Sequence, residues 1–152
     1  MSIDKQYVTA TSELNPAILV VDDDAHNLAV VRDCLVELGY TILVAEDGES
    51  AVQRAAYARP DLILLDIMMP GIDGYETCRR LKGEKSTQDI PVLFMTALAE
   101  TGSKVKGLKA GAVDYITKPF QREELQARIA VHLHNRELTK RLQEAKEQLE
   151  AR

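Results

Sequence analysis

Five side chains in this sequence have the chemistry to hold a cation or a phosphoryl group, and they share one placement: Asp22 and Asp23, Asp66, Thr96 and Lys118 each close a strand-like run. Ile18-Leu19-Val20-Val21 leads into the acid pair, Leu62-Ile63-Leu64-Leu65 into Asp66, Val92-Leu93-Phe94-Met95 into Thr96, and Val113-Asp114-Tyr115-Ile116-Thr117 into Lys118. Taken singly, each has a plain explanation. Acids after a strand cap the next helix, threonine favours strands, and a lysine before proline is a solvated turn residue. Together they are harder to dismiss, because an open parallel sheet brings its strand ends to one edge, where ligands bind. Two carboxylates about 5 Å apart at an effective dielectric near 20 repel by roughly 3 kcal/mol, so three convergent acids call for cations. Lys118 supplies one. The shortfall predicts a divalent ion, and hard oxygen ligands favour Mg²⁺. A metal and a lysine flanking a carboxylate suit phosphoryl transfer, with Asp66 placed as the nucleophile.

The elements that must position these groups follow from hydrophobic period and breakers. Apolar runs bounded by turn signals predict buried strands at residues 17–21, 41–45, around Leu64, 91–96 and 113–118. Leu28, Val31, Leu35 and Leu38 recur at helical spacing before Gly39, and further helices are expected from Asp47-Gly48 to about Arg59, over 75–82, over 103–110 and from Gln121 onward. Strands alternating with single helices imply right-handed βαβ crossovers, hence an α/β, doubly wound (βα)5 sandwich around a parallel sheet. Residues 1–16 show no period and read as a flexible leader. The balance of 24 acidic against 19 basic residues, a formal charge of -5, opposes direct nucleic-acid or anionic-membrane binding. Cys34 and Cys78 are isolated, which fits packing roles in a reduced, cytoplasmic setting. No apolar run reaches the ~18 residues of a membrane span.

Asp22-Asp23, Leu65-Asp66-Ile67-Met68-Met69-Pro70-Gly71-Ile72-Asp73-Gly74, Thr96-Ala97 and Lys118-Pro119-Phe120 closely resemble, in order, the signature of the receiver domain of two-component response regulators. The resemblance covers about 17–135. It implies a flavodoxin-like (CheY-like) sheet ordered 2-1-3-4-5, a cis Lys118-Pro119 bond, and phosphorylation of Asp66 by the phosphohistidine of a sensor histidine kinase or phosphotransfer protein. It also implies Mg²⁺ held by Asp22, Asp23, Asp66 and the Met68 backbone carbonyl. Thr96 and Lys118 would hold phosphoryl oxygens, Tyr115 would turn inward with Thr96, and the face made by the fourth helix, fifth strand and fifth helix would switch. Such a protein is a signalling switch that catalyses its own phosphorylation and dephosphorylation, rather than a conventional enzyme. Met68 and Leu98 are apolar where some family members carry polar groups, so slow self-dephosphorylation is expected. Two rivals are weighed against this. Asp22-Asp23-Asp24 also satisfies the Asp-x-Asp pattern of haloacid dehalogenase phosphatases, with Asp22 as nucleophile and Asp24 as acid, but leaves Asp66 and Tyr115 unexplained. An interaction module that has lost phosphorylation is opposed by the intact acid, Thr and Lys set.

The terminal helix is too long for one closing element, spanning on the order of 45 Å at 1.5 Å per residue. Val131, Asn135, Leu138, Leu142, Ala145 and Leu149 alternate four and three apart, the spacing of a coiled-coil seam, although Arg141 and Lys146 oppose one another in a parallel pair. Residues 136–152 are therefore expected to form a helical extension, either a homodimer seam or a linker to a further domain.

Overall fold

A computed structural model of the chain describes residues 15–97 and 101–151, except the side chains of 101–104. The expected leader lies almost wholly outside the described residues, as does Leu98. Five strands, β1 (Ala17–Val21), β2 (Thr41–Ala45), β3 (Leu62–Asp66), β4 (Val92–Thr96) and β5 (Asp114–Thr117), alternate with α1 (Ala25–Glu37), α2 (Gly48–Ala58), α3 (Gly74–Lys82), α4 (Thr101–Ala110) and α5 (Arg122–Glu150). All pairings are parallel, in the order β2-β1-β3-β4-β5. The chain is thus doubly wound with an extended closing helix, as expected. Element ends depart from the expected ones by one or two residues: β5 stops at Thr117, and α4 begins at Thr101.

Side-chain alternation along the strands divides the core in two. Leu19, Val21, Ile63, Leu65, Val92 and Phe94 face Ala51 and Ala55 of α2 and Tyr75, Cys78 and Leu81 of α3. Ile18, Val20, Leu62, Leu64, Leu93 and Met95 face Leu28, Val31 and Leu35 of α1 and Leu125 and Ile129 of α5. Every residue of β3 and β4 is buried, which is why those runs are continuous rather than alternating.

Three helices start on an aspartate whose carboxylate accepts backbone N–H groups of the first turn: Asp24 from His26 and Asn27, Asp47 from Ser50, and Asp73 from Glu76. Gly107 lets α4 lie on Phe94, since a Cβ there would stand 2.9 Å from the ring. Phe94 meets Tyr75 edge to face at 5.4 Å, and Lys106 sits 4.5 Å over the Tyr75 ring.

Helix α5 is fastened to the sheet at two levels. Asp114 accepts from Arg128 at 2.9 and 3.0 Å and shares a 2.9 Å bond with His132. One level further, Arg136 donates to the Asp89 carbonyl at 2.9 Å and lies 3.8 Å from Asp61. From Glu137 to Ala151 every side chain is exposed. Truncating Leu64, fully buried between α1 and α5, should destabilise the fold by about 2–5 kcal/mol, read as a lower urea midpoint at unchanged slope.

Candidate functional site

Parallel register brings the expected site residues to one edge. Val21 pairs with Leu65, so Asp22, one residue on, stands beside Asp66 at the end of β3. Thr96 pairs with Thr117, and the next residue, Lys118, donates its backbone N–H to the Thr96 carbonyl at 2.7 Å. From there the lysine's four-carbon stem reaches back across β4. Its Nζ lies 3.0 Å from Asp22 Oδ2 and 3.2 Å from Asp66 Oδ1. The Lys118-Pro119 peptide is cis.

Burial sorts the acids. Asp22, Asp66 and Thr96 are 1%, 6% and 4% exposed, whereas Asp23 is exposed. One carboxylate oxygen from each of Asp22, Asp23 and Asp66 lies within 4.8 Å of the others, a set of hard, anionic donors suited to a divalent cation. Burial pushes the Asp66 carboxyl up, Lys118 pulls it down, and the charges of Asp22 and Asp23 raise it again; the balance leaves it above its ordinary range. For Lys118 burial alone would lower the ammonium. The bond to Asp22 and the charge of Asp66 outweigh that and hold it above its usual value.

Asp24, the third acid of the run, does not join the others. Its Oδ1 accepts the His26 N–H at 2.8 Å, and its own N–H is taken by Asp22 Oδ1 at 3.0 Å. It is a helix cap, which removes the general acid that a dehalogenase-type phosphatase would need. Tyr115 pairs with Phe94 in register, three residues before Lys118, and packs half-buried on the α2–α3 side of the core. Met68 is 68% exposed.

Gly74 is singled out by sequence only as a signature position, and its contact with the strand end that carries Asp66 is not legible there. Asp73-Gly74 reads as an ordinary breaker, yet a Cβ on Gly74 would stand 2.5 Å from the Asp66 carbonyl oxygen and 2.7 Å from Ile67 Cα. The N–H of Gly74 donates to the Ile67 carbonyl at 2.8 Å. Only glycine lets α3 start pressed against the strand end that carries Asp66. Gly71, at φ 78, supplies the left-handed turn in between.

Comparison with known proteins agrees with this geometry. The family described as the response regulator receiver domain matches residues 18–130. The alkaline phosphatase synthesis transcriptional regulatory protein PhoP of Bacillus subtilis is 42% identical over 125 residues, covering 82% of this chain and 51% of that protein. The response regulator PleD of Caulobacter vibrioides is 43% identical over 116 residues, 76% of this chain and 26% of that protein. The chain thus spans about half, or less, of the length of these relatives. Among solved structures, a putative response regulator from Chloroflexus aurantiacus superposes with a TM-score of 0.76 at 36% identity, covering 79% of this chain and 98% of that one. The receiver domain of a sensor histidine kinase from Pseudomonas aeruginosa, with a magnesium ion coordinated in its active site cleft, gives 0.75 at 35% identity, with coverage of 79% and 98%.

Because the Asp66 carboxyl is held above its unfolded value, the folded chain binds that proton more tightly, and the contribution to stability falls as pH rises through the raised value. Asp66→Asn should therefore be more stable than the parent at pH 7. The difference should close as pH falls toward about 4, the ordinary carboxylate range. Urea midpoints of both proteins between pH 4 and 8 test this, and a pH-independent difference would contradict it.

Proposed function

The chain belongs to the response regulator receiver family, and on that footing we propose that it is a phosphoacceptor switch whose Asp66 takes a phosphoryl group from the phosphohistidine of a histidine kinase or phosphotransfer protein. The observation that carries this reading is the Lys118 ammonium held between two buried carboxylates at the carboxyl edge of the sheet. A carboxylate oxygen of Asp66 attacks phosphorus as the bond to the donor's imidazole nitrogen breaks, giving an acyl phosphate and a neutral histidine. Lys118, released in part from its acids, pairs with an oxygen of the incoming group, and the Thr96 hydroxyl donates to another. Asp22, Asp23, Asp66 and the Met68 backbone carbonyl would hold Mg²⁺, which when bound supplies positive charge against the phosphoryl oxygens. The same groups serve autophosphorylation from small donors and hydrolysis of the acyl phosphate.

Thr96, drawn toward the phosphoryl group, leaves space into which Tyr115 turns, and the α4-β5-α5 face changes shape with it. We take 17–135 as the receiver unit and 136–152 as an extension that carries the change outward. Leu138, Leu142 and Leu149 are 49%, 73% and 71% exposed and lie on one stripe of α5, which supports pairing with a second copy of the helix.

With acetyl phosphate and Mg²⁺ the chain should gain a base-labile phosphoryl label that is absent from Asp66→Asn. Mg²⁺ should raise the melting temperature of the parent but not of Asp23→Asn, because ligand binding to the folded state alone is stabilising. Sedimentation equilibrium should give the phosphorylated full chain about twice its own monomer mass while a chain ending at Asn135 keeps its monomer mass; the same association state for both would remove the seam's role.

A further inference from the structure

At the edge of the sheet opposite Asp66, α5 stands off from the body and leaves a groove of about 940 Å³. We propose that this groove binds an organic phosphate of nucleotide size, with the phosphates on its cationic wall and the ring on its apolar floor. The apolar side chain that opens on the floor is Val113, 46% exposed, with Ile90 and Pro91 buried beneath it, just before β5 and β4. The body contributes Arg59, Lys82 and Lys85 to the walls, and α5 contributes Arg136 and Lys140. Gathering five cations here runs against the chain's formal charge of -5.

Their existing contacts show which are free to act. The Lys82 Nζ is committed to the Gln88 and Ile90 carbonyls at 3.1 and 2.6 Å. Arg136 donates to the Asp89 carbonyl, while its Nε is buried and makes no hydrogen bond, standing 3.8 Å from Asp61. Lys140 lies 3.9 Å from the same carboxylate. The side chains of Arg59 and Lys85 have no hydrogen-bond or ion-pair partner among the described residues. Acids also line the groove: Asp89, and Glu144 and Glu147 on α5. The two glutamates lie two to three turns beyond Arg136, on the order of 12–16 Å along the helix, whereas Asp89 and Asp61 stand among the cations, so the uncompensated positive charge is that of Arg59 and Lys85.

Arg59 gives a second, independent indication. It closes α2 at φ 48, ψ 63, in the left-handed region, directly before Pro60. Glycine is the low-energy residue there, and a side chain costs roughly 1–2 kcal/mol. The cap holds a guanidinium at the groove despite that cost, a pattern associated with ligand sites. Guanidinium and ammonium groups pair with phosphate oxygens, and the volume falls in the range of small-molecule pockets, roughly 300–1,000 Å³. An occupant would bridge body and extension, because each supplies part of the wall.

The test uses the full 152-residue chain, titrated calorimetrically with GTP, guanosine and pyrophosphate in EDTA, so that the Asp66 site has no metal through which to recruit phosphate. GTP should saturate with a dissociation constant on the order of 100 µM or tighter. Guanosine and pyrophosphate should each bind at least about tenfold more weakly, the loss of one charged contact or of the ring's burial. Arg59→Gly, which relieves the backbone and should melt no lower than the parent, and Lys85→Gln should each weaken GTP by about tenfold. Asp66→Asn should bind like the parent, which separates this site from the phosphoacceptor. Absence of saturable GTP binding, equal affinity for pyrophosphate, indifference to both cation variants, or loss of binding in Asp66→Asn would each overturn the proposal.

Discussion

Two carboxylates buried side by side repel and lose hydration, and they persist in a folded chain only where a cation stands between them. Here that cation is the Lys118 ammonium, 3.0 Å from Asp22 and 3.2 Å from Asp66. Its position depends on the whole sheet. Lys118 follows β5, Asp66 ends β3 and Asp22 follows β1, so the triad forms only if three parallel pairings are in register. A slip of one residue in any of these pairings would turn one of the three charged side chains away from the others. The site is correspondingly poised: the ammonium balances part of the negative charge, and the negative charge that remains favours a further cation.

The architecture spends its small residues where that edge needs them. Gly74 admits α3 against the Asp66 carbonyl, and Gly107 admits α4 onto Phe94. Phe94 and Tyr75 then connect α3 and α4 over the strand that ends in Thr96. The six aspartates at the carboxyl edge and the helix starts divide between two tasks. Asp22, Asp23 and Asp66 gather for charge, while Asp24, Asp47 and Asp73 close backbone N–H groups.

Much of this was readable in the order of residues. Buried strands announce themselves as unbroken apolar runs, and the breakers Gly39, Asp47-Gly48 and Asp73-Gly74 punctuate the helices. The edge residues were legible for the same reason, since each ends such a run. What sequence could not decide was the separation of Asp24 from Asp22 and Asp23, because three consecutive acids look alike until backbone geometry assigns one to a cap. Nor could it reveal that Gly74 touches the site, a matter of approach between two segments, or that Arg59 takes a left-handed conformation. Local pattern carries the elements; contacts between them belong to the tertiary fold.

Helix α5 has one further consequence. Its 29 residues run without proline or glycine from the body to Glu150, and the last side chain bonded to the body's backbone is Arg136. The fourteen residues from there to Glu150 make a rigid lever on the order of 20 Å long. A tilt of about 10° at that fulcrum would sweep its tip by roughly 3–4 Å, comparable to the displacements that change contacts between packed elements. Movement too slight to disturb the core could in this way be magnified into a displacement that a neighbouring molecule would feel.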